Sequence, residues 1–252
     1  MTSNRFPQYA LLFARLNNLV QQKLSHEYES FRFYSEDLIL KLRYLELICL
    51  RYKADKKRLE RYGRRFNRYI ENVKSESLSQ KELQQESEIL AEQGIKYPEL
   101  LNLDIDSFFI FARIVLDRIP FLLKPLYRGI VTKQELATRG FKEYLDWFEA
   151  NPKSVLDSTF YDKMISFRKW FYEKLRAPRN EIIVHPKHPF RNETSFNGKA
   201  YRVPYELQTI EEKRVRKKLE STELPEISKL FNRIIGFLEF LNEYFSKKLN
   251  NK

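Results

Sequence analysis

DIDSFFIFARIVLDRIPFLLKPLY, residues 104–127, is the most apolar stretch of the chain. It predicts the central helix of the molecule, around which the other segments pack. Proline has no backbone N–H and fits poorly inside a helix, so Pro120 and Pro125 are expected to kink this helix or break it into two. Asp106 and Asp117 lie within it, and Asp117 with Arg118 reads as an exposed or paired edge.

Working outward, the flanking segments also carry helical spacing. Downstream, TKQELATRGFKEYLDWFE starts at Thr132 with Glu135 three residues on, a capping-box pattern. DSTFYDKMISFRKWFYEKLR is amphipathic, with Phe160, Met164, Phe167 and Phe171 predicted inward. The last segment, ELPEISKLFNRIIGFLEFLNEYFSKKL, carries an apolar stripe of Ile227, Leu230, Ile234, Leu238, Leu241 and Phe245. Upstream, residues 7–72 predict two or three helices. Tyr9, Leu12, Leu16 and Leu19 mark the first, and Ser35 is the expected N-cap of a second, well-buried one. SESLSQ reads as a linker before an exposed, glutamine- and glutamate-rich helix that Gly94 should stop. One segment breaks the pattern. ETSFNGKAYRV has Asn197-Gly198 between alternating residues, which predicts a small β-hairpin near 194–203 closed by a two-residue turn.

Composition agrees with an all-α fold. Glycine is scarce, 6 residues in 252, against a usual share of about 7%. Few glycines leave few left-handed turns, which favours long helices over strands. The apolar fraction of 42% suffices for a core. Three regions are expected: 1–75, helical and basic, packing on the core; 76–103, linker and exposed helix; and 104–252, the main helical domain. No run of 18 apolar residues appears, so no membrane span is expected. The opening residues lack the apolar block of a secretory signal. The single cysteine, Cys49, cannot form an internal disulfide and reads as a small buried core residue. Together these predict a cytoplasmic protein.

The net charge is +12. A charge of this size favours polyanionic partners and speaks to association, not fold. It is unevenly distributed. Residues 51–74 hold ten basic side chains against three acidic ones, a local balance of +7. Arg61, Arg64, Arg65 and Arg68 fall in this segment and are candidate contacts to a nucleic-acid backbone. Tyr62, Phe66 and Tyr69 recur at spacings of four and three on one helical face, which reads as a core face opposite a basic back.

A second concentration of chemistry lies in RAPRNEIIVHPKHPF, residues 176–190, which holds two of the three histidines. Pro178 suits the first turn of a short helix running from Arg179. His185 precedes Pro186, and a residue before proline is pushed out of helical conformation, so the helix is expected to stop there. In an unbroken helix Arg179 and His185 would point about 120° apart; a break lets them converge, or lets two chains bring their copies together. An imidazole exchanges protons near neutral pH. A guanidinium stays charged and offers a fork of donors suited to phosphate. Asn180 adds an uncharged donor and acceptor. Such a set suits metal-free phosphodiester cleavage in which the substrate's own 2′-hydroxyl attacks. Arg176, Lys187 and His188 are candidate phosphate-attracting neighbours. His185 and His188 could also suggest a metal pair, but no cysteine and few carboxylates nearby complete one, so no metal and no other cofactor is expected. The plainer reading of His185 is an imidazolium capping a helix C-terminus.

RNEIIVH, residues 179–185, resembles the Arg-polar-x4-His signature of HEPN domains, with Arg179, Asn180 and His185 on the pattern. SFFIFARIVLDRIP resembles that family's long core helix. The resemblance covers roughly residues 104–250. It implies a helical bundle of HEPN type, a homodimer with two motif segments meeting in a cleft, and a metal-independent endoribonuclease serving as a toxin, in phage defence or in RNA processing. By the same resemblance His185 is the general acid and base, Arg179 stabilises charge on the phosphorane, and Asn180 orients one of them. An antitoxin or defence-system partner would accompany such a role. The long basic N-terminal part and the post-motif hairpin depart from compact members. The alternative is a non-catalytic helical module that binds RNA or a protein partner. A DNA-binding regulator lacks a helix-turn-helix signature.

Overall fold

The computed structural model describes residues 8–130, 140–150, 157–180, 190–194, 200–204 and 226–251. These are predominantly helical. A 3-10 turn, Gln8–Leu11, precedes α1 (Ala14–Lys23). Then come α2 (Tyr28–Lys74), α3 (Gln80–Ile130), α4 (Phe141–Ala150) and α5 (Ser158–Phe171). A π-helical turn, Tyr172–Arg176, leads into a single turn, α6 (Ala177–Arg179). Strands β1 (Phe190–Thr194) and β2 (Ala200–Pro204) pair antiparallel, and α7 (Ile227–Asn250) follows.

Two helices are far longer than their sequence punctuation predicts. α2 runs for 47 residues straight through Ser35, the expected N-cap. Phe31, Ser35, Leu38, Leu42 and Leu45 are all fully buried and form one unbroken stripe. The Ser35 hydroxyl donates to the Arg32 carbonyl at 2.9 Å, so it is satisfied inside the helix and does not compete with it. α3 runs for 51 residues and passes Gly94, Pro98, Pro120 and Pro125 without ending. Gly94 is not a stop: a Cβ there would lie 2.7 Å from the Tyr62 hydroxyl, so the residue serves close approach of a ring to the helix backbone. Around Pro120 and Pro125, Leu116, Ile119, Leu122, Leu123 and Leu126 are almost wholly buried. Burying a leucine-sized side chain contributes about 1.5–3 kcal/mol, and several of them offset the roughly 3 kcal/mol an interior proline costs.

The chain divides into two compact units. One comprises Met1–Glu46, Phe109–Pro178 and Ser228–Lys252; the other comprises Leu47–Phe108 and Arg179–Ile227. The boundaries at 46/47 and 108/109 fall inside α2 and α3.

The first unit has an aromatic core. Phe141, Tyr144, Phe148, Phe160, Phe167, Phe171, Phe237 and Phe245 are buried. Phe167 and Phe237 stack face to face with centroids 3.7 Å apart, and Phe160 meets Phe148, Phe240 and Phe245. The inward set expected on α5 is buried throughout. On α7 Ile227, Ile234, Leu238, Leu241 and Phe245 are buried and Leu230 is half-buried; on α1 Leu16 is buried and Leu19 half-buried. Asp157 caps α5, accepting the Phe160 N–H at 3.1 Å. Asp117 accepts the Phe141 N–H at 2.8 Å and pairs with Arg113, while Arg118 pairs with Asp37. The Asp117-Arg118 edge is therefore paired.

The second unit is built on the distal half of α2 and the proximal half of α3. Ile48, Cys49, Tyr52, Leu59, Leu90, Leu101, Ile105 and Phe108 are its buried apolar residues from those halves. The connection between the helices is short and carries several hydrogen bonds. Glu76 takes φ 50°, in the left-handed region. The Ser77 N–H reaches the Asn72 carbonyl and the Glu76 N–H reaches that of Val73, the two bonds of a Schellman end. Ser79 and Glu82 then form a capping box: the Ser79 N–H donates to Glu82 Oε2 at 2.9 Å and the Glu82 N–H donates to Ser79 Oγ at 3.4 Å. The Ser79 bonds hold the Glu82 carboxyl below its ordinary range. SESLSQ is thus a linker, as expected, drawn into a tight turn between the two helices.

In the strand pair Thr194 faces Ala200. Residues 195–199 lie outside the described residues, as do Thr132 and Glu135.

Candidate nucleic-acid interface

The second unit contains an open cleft of about 630 Å³. Its α2 wall is Arg61, Arg64, Arg65, Arg68, Tyr69 and Asn72, with Leu78 from the connection. Its α3 wall is Glu82, Gln85, Glu86 and Ile89. All four arginines singled out in the basic segment therefore line one concavity. Their spacing explains why. Positions 61, 65 and 68, with 64, advance one helical turn at a time and share a face. The Schellman turn and capping box bring α3 back beside that face only a few residues later.

The four guanidiniums are not equivalent. Arg65 is held by Glu86 in a two-point ion pair, Nε to Oε1 at 2.5 Å and Nη2 to Oε2 at 2.7 Å. That hydrogen bonding raises the Arg65 pKa and lowers that of Glu86. Arg61 donates Nε to the Lys57 carbonyl at 3.3 Å. Arg61, Arg64 and Arg68 are exposed and have no carboxylate partner among the described residues. Three cations without a carboxylate partner among the described residues, on one wall of a cleft, form an anion-attracting surface, since the donors not spent within the protein, all but the Arg61 Nε, face a ligand.

The aromatic reading of this segment needs correction. Phe66 is 40% exposed, so Tyr62, Phe66 and Tyr69 are not a core face. Tyr52, Asp55, Leu59 and Gly63 are the buried stripe here. Tyr62 packs on Phe66 and over Gly94, and its burial raises its hydroxyl pKa.

Beside that stripe two carboxylates are sealed from solvent. Asp55 and Asp104 are 1% and 0% exposed. Arg58 pairs with Asp55 and Arg51 with Asp104. Burial pushes the Asp104 carboxyl up to about 6, Arg51 opposes this, and Asp55 adds to it. Spacing on α2 shows Asp55 on the buried face, but Asp104 comes from α3, so no local pattern announces the pair.

The motif segment is described only in part. Arg179 ends α6 and Asn180 follows it. Arg179 Nη1 lies 3.5 Å from Asn180 Oδ1. Arg179 Nε is shielded from solvent with no hydrogen-bond partner among the described residues. His185, Lys187 and His188 lie outside the described residues. The short helix expected to start at Pro178 is instead continuous with α5 through the π-helical turn, whose wide bond runs from the Ala177 N–H to the Tyr172 carbonyl. Pro178 has no N–H to offer such a ladder, and widened turns accommodate interruptions of this kind.

Arg176 belongs to the first unit. Its guanidinium lies 4.9 Å from the Tyr172 ring centroid, and Arg168 lies at the same distance. Asp146 accepts the Tyr172 hydroxyl at 2.8 Å and also pairs with Lys142 and Arg168. Arg176 is therefore held over a ring that is itself fixed by a carboxylate.

Among the described residues no three His, Cys, Asp or Glu side chains group to hold a metal, and no helix is long and apolar enough to cross a membrane. Comparison of the chain with protein-family models, with curated proteins and with solved structures finds no match.

Proposed function

We propose that the protein is an RNA-binding helical module whose interface is the arginine cleft between α2 and α3. The observation that carries this reading is the convergence of Arg61, Arg64 and Arg68, unpaired among the described residues, on one 630 Å³ concavity. The chain's +12 charge supports it by drawing a polyanion toward that surface. The test is fluorescence anisotropy of labelled RNA against salt. Binding should weaken steeply with salt, and Arg64→Ala with Arg68→Ala should weaken it about tenfold or more. Unchanged affinity in the double variant, or equal loss when remote lysines are changed instead, would remove the cleft as the interface.

A second reading is a HEPN-type, metal-independent endoribonuclease working as a homodimer, with an antitoxin or defence-system partner. Arg179 supports it: a shielded Nε without a partner among the described residues, beside the Asn180 amide, leaves donor capacity for a phosphate. In this reading His185 moves protons and the substrate's 2′-hydroxyl attacks. RNA cleavage that persists in EDTA and disappears in His185→Ala supports cleavage. Binding without cleavage in the unaltered protein leaves the module alone.

A further inference from the structure

The two walls of the arginine cleft have opposite chemistry. The α2 wall presents Arg61, Arg64 and Arg68 without carboxylate partners among the described residues, one helical turn or less apart. The α3 wall presents Glu82 and Glu86, with Gln85 between them. Glu82 spends Oε2 on Ser79, and Glu86 is closed by Arg65. Tyr69 from the α2 wall and the 41%-exposed Ile89 from the α3 wall give the cleft an apolar part.

This polarity decides how a nucleic acid can lie. Phosphates are drawn to α2 and repelled from α3, so only one edge of the ligand can be anionic. A duplex carries phosphates along both edges and keeps its base faces stacked. It would set one backbone against Glu82 and leave Tyr69 and Ile89 unused. A single strand has one anionic edge and one edge of bases. Successive turns of α2 place guanidiniums about 5.4 Å apart, a step an extended strand can follow with successive phosphates. A cavity of about 630 Å³ is in the range that encloses a small organic molecule, so one unstacked nucleotide fits.

Resting on the RNA-binding reading, we propose that the cleft selects single-stranded RNA. Arg61, Arg64 and Arg68 hold consecutive phosphates, and one unstacked base enters against Tyr69 and Ile89, with the Gln85 amide at its edge.

The test uses the full chain and a labelled 12-nucleotide RNA, free or annealed to its complement, in anisotropy titrations at fixed salt. The single strand should bind at least tenfold more tightly than the duplex. Loss of one base–aromatic stack costs about 1–3 kcal/mol, roughly 5- to 150-fold, so Tyr69→Ala should weaken single-strand binding by about tenfold and leave the duplex unaffected. Tyr69→Leu, which keeps apolar volume, should lose most of the same affinity, and its unchanged thermal melting separates ring loss from misfolding. Equal or tighter duplex binding, or a Tyr69 effect that falls equally on both forms, overturns the single-strand proposal while the arginine interface stands. If neither form binds, both readings fall.

Discussion

Asp104 is the residue whose environment has the clearest thermodynamic consequence. Its carboxyl is fully buried, and its pKa is raised to about 6, chiefly by burial, with Asp55 adding to the rise and Arg51 opposing it. An unfolded aspartate ionises near pH 3.9. Between about pH 4 and 6 the folded chain therefore holds a proton that the unfolded chain has released. Stability then falls as pH rises through this window and levels off above it. The expected loss is on the order of 2 kcal/mol. Urea melts at pH 4 and pH 7 measure it, and Asp104→Asn should flatten that part of the profile. A variant whose pH profile matches the parent would show that Arg51 and Arg58 neutralise the pair completely. Nothing in the local sequence around Asp104 announces this, because its neighbours in space, Asp55 and Arg51, lie about fifty positions away. The arginines are the opposite case. Arg61, Arg64, Arg65 and Arg68 share a face by spacing alone, so their convergence could be read directly. The Glu86 clamp on Arg65 could not, since it crosses between helices.

At the scale of elements, the turn between α2 and α3 matters most, because it sets one cleft wall against the other. Its Schellman end places Glu76 in the left-handed region, where a side chain costs roughly 1–2 kcal/mol and glycine costs little. Glu76→Gly should therefore stabilise the protein by about 1 kcal/mol. Ser79→Ala removes the N-cap of α3 and should destabilise by about 1 kcal/mol. Chemical denaturation of the two variants, with far-UV circular dichroism as the probe, reads both effects; a destabilising Glu76→Gly would show that the glutamate side chain outweighs its backbone strain. The Ser-x-x-Glu pattern of Ser79 and Glu82 is present in the sequence, but it lies at the end of a serine-rich stretch whose composition signals a linker more strongly than a cap. The long helices were hidden for a related reason. Gly94, Pro120 and Pro125 are local stop signals, and local signals lose to a buried stripe that continues on both sides of them. The helical class itself, and the inward rows of α5 and most of α7, follow from periodicity because those rows are decided by burial within one element.

At the scale of the whole molecule, the charge of +12 will attract any polyanion, so weak binding by itself does not identify the cleft. The salt dependence does. Each phosphate neutralised on a single strand contributes about −0.7 to the slope of log K against log salt. If Arg61, Arg64 and Arg68 each hold one phosphate, changing all three to glutamine should make the slope shallower by about 2. The variant keeps most of the chain's positive charge, so residual attraction should survive at low salt while the affinity at physiological salt is lost. A slope unchanged within error would mean that phosphates are gathered by basic side chains spread over the surface. A shallower slope together with retained preference for the single strand would place the discrimination on Tyr69, Ile89 and Gln85, and the arginines would then supply attraction without selectivity. The two contributions separate because one follows ionic strength and the other follows the exposure of a base.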